Sequence, residues 1–272
     1  MRVLVTSGGT RVPIDRVRFI ANMSNGTFGS RITRSLVRLM SEQPPELTFL
    51  TAKHATTPFE VTLDPASMDD AALLASMGRA VEYQRLCRTM GDRYREVVYT
   101  DFVDYASKLK ALLATQPWDL VIFAAAVSDY LVDNYVDGKV RSSAAEMAIQ
   151  LTPAEKLITQ ARGLTGPATT LVGFKLLVDS TDEELIDAAR HVAVSADCQF
   201  VVANDLRDIQ ANAHRALIVY PEAEMPVRVW SSAPEPERMF TAPEPYSPDA
   251  LAMKVADLAF TEASLRMVEM GA

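Results

Sequence analysis

Short apolar runs rich in β-branched residues recur along the chain, separated by stretches of helical period. The runs predict strands at 2–6 (RVLVT), 47–51 (LTFLT), 96–100 (EVVYT), 119–126 (DLVIFAAA), 171–177 (LVGFKLL) and 200–205 (FVVAND). Several are apolar on consecutive positions, as in Val121-Ile122-Phe123. Strands covered on both faces read that way, which points to a mostly parallel sheet between helical layers. Helices are expected at 29–40, with Ile32, Leu36 and Leu39 on one face, at 102–114 through Phe102, Tyr105, Leu109 and Leu112, and at 182–194 through Leu185, Ile186, Ala189 and Val192. Arg31, Arg34 and Arg38 fall off the apolar face of the first of these, which predicts that they face solvent. Alternating β and α elements of this kind indicate an α/β, Rossmann-like, doubly wound fold.

Two final strands, 215–220 (RALIVY) and 226–231 (PVRVWS), flank a Pro-Glu-Ala-Glu turn and read as an antiparallel hairpin added at the end of the sheet. Residues 64–95 have a helical pattern and stand between the second and third strands. They read as a helical insertion, a lid or an oligomer contact, within a single domain covering 1–272. Residues 233–248 are proline-rich and read as an extended arm before a last helix at 248–268.

Composition changes this picture little and charge changes it more. The 272 residues are 49% hydrophobic and 23% charged, ordinary globular proportions. The net charge is −8, which disfavours a polynucleotide as partner. The first 40 residues nevertheless carry seven arginines and one acid, Asp15, a local balance of +6. Such an end suits a small polyanion. No apolar run reaches 18 residues, and the strand-like start is unlike a signal peptide, so no membrane association and a cytoplasmic location are expected. Cys87 and Cys198 match no zinc or redox spacing, and His54, His191 and His214 are scattered.

Two glycine-bearing turns are candidates for phosphate binding. The first strand runs into Thr6-Ser-Gly8-Gly9-Thr10, where glycine lets backbone N–H groups approach a ligand. The second, Asn22-Met-Ser24-Asn-Gly26-Thr-Phe-Gly29, opens a helix whose N-terminus suits anionic oxygens. A tight strand-to-helix turn and an ordinary helix cap have the same composition. G-x-G-x-x-G is absent, and no acid closes the second strand to hold a ribose 2′-hydroxyl, which argues against a dinucleotide oxidoreductase.

The run from Val5 to Gly29, followed in order by Ala124-Ala125-Ala126-Val-Ser-Asp129-Tyr130, Gly173-Phe174-Lys175-Leu-Leu-Val-Asp179 and Ala203-Asn204-Asp205-Leu206, resembles phosphopantothenoylcysteine synthetase. This is the phosphopantothenate–cysteine ligase family of coenzyme A biosynthesis, and the resemblance is strongest to its stand-alone bacterial members. It implies a ligase that joins 4′-phosphopantothenate to L-cysteine through an acyl-nucleotidylate, with CTP (or ATP) as co-substrate, Mg²⁺, and a homodimer formed through residues 127–150 and the terminal hairpin. A substrate carboxylate is already ionised at neutral pH, so the first step needs charge neutralisation more than acid–base chemistry.

By the same resemblance, Arg18, Asn22 and Lys139 are the candidate catalytic residues, Lys139 on a polar loop at 131–145. Gly8, Gly9, Ser24, Gly26, Gly29, Ala125, Ala126, Asp129, Phe174 and Lys175 would bind the nucleotide, with Asp129 also the candidate metal ligand. Asn204 and Asp205 would contact or order the phosphopantothenate side. Without the motifs, Arg18 reads as a solvated loop arginine, Asp129 as a turn cap and Lys139 as a surface lysine. The chain departs from the family at Gly26-Thr-Phe-Gly29, where a basic or hydrogen-bonding side chain is usual, and at Leu151-Thr-Pro153, where a lysine often precedes the Thr-Pro. A related acid–amine ligase with another carboxylate and a non-catalytic nucleotide-binding protein are the alternatives.

Overall fold

The computed structural model describes residues 1–64, 66–140, 147–210, 215–230 and 248–270. His214, residues 141–145 of the expected polar loop and 233–247 of the proline-rich arm lie outside these. The chain runs β1 (Arg2–Ser7), β2 (Arg11–Pro13), β3 (Phe19–Ala21), α1 (Thr27–Leu39), β4 (Glu46–Ala52), α2 (Asp70–Met90), β5 (Tyr94–Tyr99), α3 (Phe102–Thr115) and β6 (Leu120–Phe123). It continues through β7 (Tyr130–Val132), β8 (Leu151–Pro153), α4 (Leu157–Thr165), β9 (Thr170–Leu177), α5 (Asp182–Ser195), β10 (Phe200–Asp205), α6 (Leu206–Gln210), β11 (Ala216–Val219), β12 (Arg228–Trp230) and α7 (Pro248–Glu269).

One eight-stranded sheet has the order β12-β11-β10-β9-β6-β1-β4-β5. The six strands from β10 to β5 pair in parallel, and β11 and β12 extend the sheet antiparallel beyond β10. Consecutive apolar residues in the central strands serve two cores. Leu4, Leu50, Val121, Leu171 and Val201 face α3, α4 and α5, while Val3, Val5, Phe49, Ile122, Val172 and Val202 face α1, α7 and the end of α2. Side chains alternate across a strand, so both sets must be apolar, and the Rossmann-like doubly wound reading follows from that requirement. No helix among the described residues is long and apolar enough to cross a membrane.

The helical segment at 64–95 contributes α2. It links β4 to β5, which pair in parallel, and parallel neighbours need a crossover of this size. The helix is tied to α1 by Arg38, whose guanidinium donates to Glu82 at 2.9 and 2.6 Å.

Arg34 corrects the expectation of a solvent-facing arginine row. It is only 6% exposed, donates to the Pro58 carbonyl at 2.8 Å and stacks over the Tyr83 ring at 4.7 Å. Asp249 at the start of α7 pairs with Arg31 at 3.2 Å and approaches Arg34 at 3.8 Å. The cause is coverage: α1 lies between the sheet, α2 and α7, so more of its circumference is enclosed than a two-layer wheel allows.

Two small antiparallel pairs, β2–β3 and β7–β8, stand outside the main sheet. The strand expected over 119–126 stops at Phe123, and beyond it Ala126 keeps only an isolated bridge to Gly9.

Candidate functional site

The chain leaves β1 toward β4, and β6 returns on the opposite side of β1. That is a topological switch point, where open α/β sheets bind ligands at the carboxyl ends of the strands. Here the first glycine turn and the Ala124–Ser128 segment run side by side. Ala126 donates its N–H to the Gly8 carbonyl at 2.8 Å, and Thr10 returns one to the Ala126 carbonyl at 3.0 Å. The buried Thr10 hydroxyl accepts from the Ser128 N–H at 2.8 Å and lies 3.0 Å from the Ser128 hydroxyl. Gly8, Gly9, Ala125 and Ala126 are thus neighbours in one hydrogen-bonded seam.

The second glycine turn folds over the first. A Cβ on Gly9 would lie 2.6 Å from the Asn22 carbonyl oxygen, and one on Gly29 would lie 2.6 Å from Ser7 Oγ. These glycines let protein segments touch each other, a demand that stands apart from any ligand. Ser7 Oγ donates to the Gly26 carbonyl at 3.0 Å, and the Asn25 side chain accepts from the Thr27 N–H at 3.1 Å. The turn is buttressed from outside, where Thr56 donates to the Asn25 carbonyl at 2.8 Å and Ser30 Oγ to the Thr56 carbonyl at 2.5 Å. Asn22 is exposed and Ser24 half-buried on this rigid base.

Arg18 and Lys139 are brought together through a residue to which the motifs assign no task. The Asp15 carboxylate is buried and accepts from the N–H groups of Val17 at 2.7 Å, Arg18 at 2.8 Å and Val140 at 3.1 Å, with the Arg18 guanidinium 3.7 Å away. Burial pushes its pKa up, but the three backbone donors and the arginine outweigh that and hold the carboxyl below its ordinary value. Arg18 also donates to the Val140 carbonyl at 3.1 Å. Arg16 adds an ion pair to Asp137 at 2.6 Å and a backbone bond to the Gly138 carbonyl at 2.9 Å. The loop that carries the exposed Lys139 is therefore docked on the Asp15–Arg18 turn. Arg18 serves as a tether there and has part of its donor fork occupied.

Asp129 is exposed, and its carboxylate is paired with the ammonium of Lys156, which stands just before α4. A Mg²⁺ that travels with a nucleotide takes phosphate oxygens, waters and one or two carboxylates. Asp129 offers one carboxylate, already engaged, and among the described residues no group of three or more His, Cys, Asp or Glu could hold a metal. Among the described residues this is no built site for a resident Mg²⁺, and Asp129 stands as the partner of Lys156.

On the α1 face of the same edge, Phe174 on β9 meets Phe28 in the first turn of α1, centroids 5.9 Å apart and rings at 77°, with Ala124 in the same cluster. Lys175 is half-buried and in register with Ala203. Asn204 and Asp205 close β10, two strands away from β6. Asn204 donates to the Arg215 carbonyl at 2.7 Å. Asp205 accepts from the Ser180 N–H at 2.7 Å and hydroxyl at 2.8 Å, the Arg207 N–H at 2.8 Å and the Asp179 N–H at 3.2 Å. Those bonds, the Ser180 N–H foremost, outweigh burial and bring its pKa down to about 2. Its carboxylate orders the turn after β9.

The sequence profile of the DNA/pantothenate metabolism flavoprotein C-terminal domain matches residues 1–57 and 95–229. The chain is 30% identical over 218 residues to the coenzyme A biosynthesis bifunctional protein CoaBC of Thermococcus kodakarensis, covering 80% of this chain and 44% of that protein. It is 29% identical over 232 residues to the phosphopantothenate–cysteine ligase of Homo sapiens, covering 77% of this chain and 73% of that one. Among solved structures, a Cab2 mutant in complex with phosphopantothenate-cysteine superposes with a TM-score of 0.76 at 19% identity, over 99% of this chain and 88% of that chain, a likeness of fold. The chain spans about half the length of the first curated relatives it matches, 44% and 46%.

Proposed function

We propose that this chain, which belongs to the DNA/pantothenate metabolism flavoprotein C-terminal domain family, joins 4′-phosphopantothenate to L-cysteine at the expense of a nucleoside triphosphate, as a step of coenzyme A biosynthesis. The observation that carries the reading is the seam at the switch point. There Gly9 lies under the Asn22 carbonyl and bridges Ala126, so three separate motifs meet at one strand edge.

The substrate carboxylate attacks the α-phosphorus, and pyrophosphate leaves. The cysteine amine then adds to the acyl carbonyl, loses a proton and expels the nucleoside monophosphate, forming the amide. Asn22, exposed above the seam, donates a hydrogen bond to the developing oxyanion without adding charge. Lys139, on the loop docked at Asp15, meets the activated intermediate. Phe174 and the small Ala125 and Ala126 border the nucleotide, and Ser24 with the α1 N-terminus faces its phosphates. CTP is the preferred nucleotide in this reading, and Mg²⁺ enters with its phosphates.

The site works in a homodimer built on residues 127–150 and the β11–β12 hairpin. Tyr130 and Tyr135, each about half exposed, support that surface. The free cysteines Cys87 and Cys198 suit a cytoplasmic enzyme.

Incubation with 4′-phosphopantothenate, cysteine, Mg²⁺ and each nucleoside triphosphate tests this directly. Pyrophosphate and the amide are expected together, fastest with CTP. No nucleotide-dependent pyrophosphate release would defeat the reading. Asn22→Asp, which places a negative charge where an anion develops, is expected to retain the fold and lose amide formation.

A further inference from the structure

Lys156 follows no motif in the sequence, yet the fold brings it to the switch point. Its ammonium contacts Asp129 Oδ1, and the two segments are also joined by the Ala154 N–H, which donates to the Asp129 carbonyl at 2.9 Å. Asp129 follows Ser128, which is bonded twice to Thr10 at the end of the first glycine turn. A continuous path of covalent and hydrogen bonds thus leads from Gly9 to Lys156.

The arginines of the first βα unit nearest this edge are already engaged, Arg16 by Asp137 and Arg18 by Asp15 and the Val140 carbonyl. The Gly26-Thr-Phe-Gly29 stretch supplies no cation. Lys156 differs from both arginines in its place: Arg18, 35% exposed, lies against Asp15, and Arg16 pairs with Asp137 on the loop of Lys139, whereas Lys156 is joined to the segment that runs along the first glycine turn. Its side chain is 64% exposed and that of Asp129 68%, so the pair is open to an incoming anion. An ammonium has three donors, and a single carboxylate contact leaves two. The carboxylate meanwhile fixes the far end of a flexible stem, so less rotamer freedom is lost when phosphate oxygens arrive.

We propose that Lys156 is a phosphate-binding residue of the nucleotide site and that Asp129 is its positioning residue, not a metal ligand. The proposal rests on the ligase reading for which nucleotide is used in turnover, and its test reads binding alone.

Titration calorimetry of the full chain with CTP and with ATP, each with Mg²⁺ and with EDTA, is the experiment. Lys156→Ala is expected to weaken triphosphate binding about ten- to a hundredfold, the loss of one charge-assisted contact, and Lys156→Arg to recover most of it. Asp129→Asn is expected to weaken binding by a smaller factor, equal with and without Mg²⁺, and to add nothing in a Lys156→Ala background. Unchanged binding in Lys156→Ala overturns the proposal, as does an Asp129→Asn effect confined to the Mg²⁺ titrations, which is what a metal ligand would show. A wild-type chain that binds neither triphosphate also overturns it. A wild-type chain that binds triphosphate in a Lys156-dependent way but makes no amide defeats only the ligase reading.

Discussion

The Phe28 ring stands edge-on to Phe174, 5.9 Å between centroids, and joins the first turn of α1 to the carboxyl half of β9. Phe28 therefore contributes an aromatic wall beside the second glycine turn. Phe28→Ala is expected to raise the nucleotide KM about three- to tenfold, in line with the ~0.5–1.5 kcal/mol of an aromatic pair, with the cysteine KM unchanged. A fall in thermal stability with both KM values intact would mark Phe28 as packing alone.

Asp15 holds the loop that carries Lys139. Asp15→Asn keeps the shape but gives up the charge that faces Arg18 and one acceptor among three N–H groups. Amide formation is expected to slow about tenfold or more, the order of one lost charge-assisted bond, while nucleotide affinity is unchanged. Hydrogen exchange at Gly138 and Val140 is expected to speed up in the same variant, and equal protection in both proteins would contradict the tether.

Asp205 makes a prediction about acid. Its folded pKa of about 2 lies below the ordinary 3.8, so the unfolded chain takes up the proton first as pH falls. The stability it provides is complete above about pH 4 and is lost between there and pH 2. Asp205→Asn is expected to flatten that part of a stability–pH curve measured by urea unfolding. A parallel curve for the two proteins would show that the Ser180 bonds contribute nothing.

Gly29 and Ser7 form a testable steric pair. A Cβ at Gly29 would meet Ser7 Oγ at 2.6 Å and Ser7 Cβ at 2.9 Å. Gly29→Ala is expected to destabilise the fold by about 1–3 kcal/mol, the range of an overpacked site. Ser7→Gly in the same chain is expected to return part of that. Additive losses in the double variant would deny the contact.

Arg34→Met removes a buried guanidinium from the Pro58 carbonyl and the Tyr83 ring. A loss of about 2–3 kcal/mol is expected for one charged hydrogen bond and one cation–π contact, seen as a lower urea midpoint with activity per folded molecule unchanged.

Much of this architecture is legible in the chain because burial on both faces leaves an unmistakable signature. Val121-Ile122-Phe123 could not be a half-solvated strand, and the apolar runs at 2–6 and 200–205 carry the same information. The glycine turn after β1 and the glycine turn before α1 were locatable for the same local reason. The four strands of the small pairs were not, because three residues are too few to show a period. Arg34 escaped because its enclosure comes from Pro58, from Tyr83 of α2 and from α7, all distant from it along the chain. Lys156 escaped because its meaning lies in Asp129, a partner that only the fold supplies. Asp205 was visible as a residue, while its four donors sit on two turns whose meeting no spacing announces.

The pairing of Asp249 with Arg31 bears on how the protein is made. Leu251, Ala252, Val255, Ala256 and Ala259 of α7 share one core with Val3, Val5, Ile32 and Leu36. β1 and α1 leave the ribosome long before α7 and therefore cannot close their apolar face until that helix has been synthesised. Contacts so distant in sequence slow folding, because a long loop must be closed before they repay its entropy. During that wait the first βα unit exposes the surface α7 will cover, and nascent chains halted before α7 are the species in which aggregation and chaperone capture concentrate.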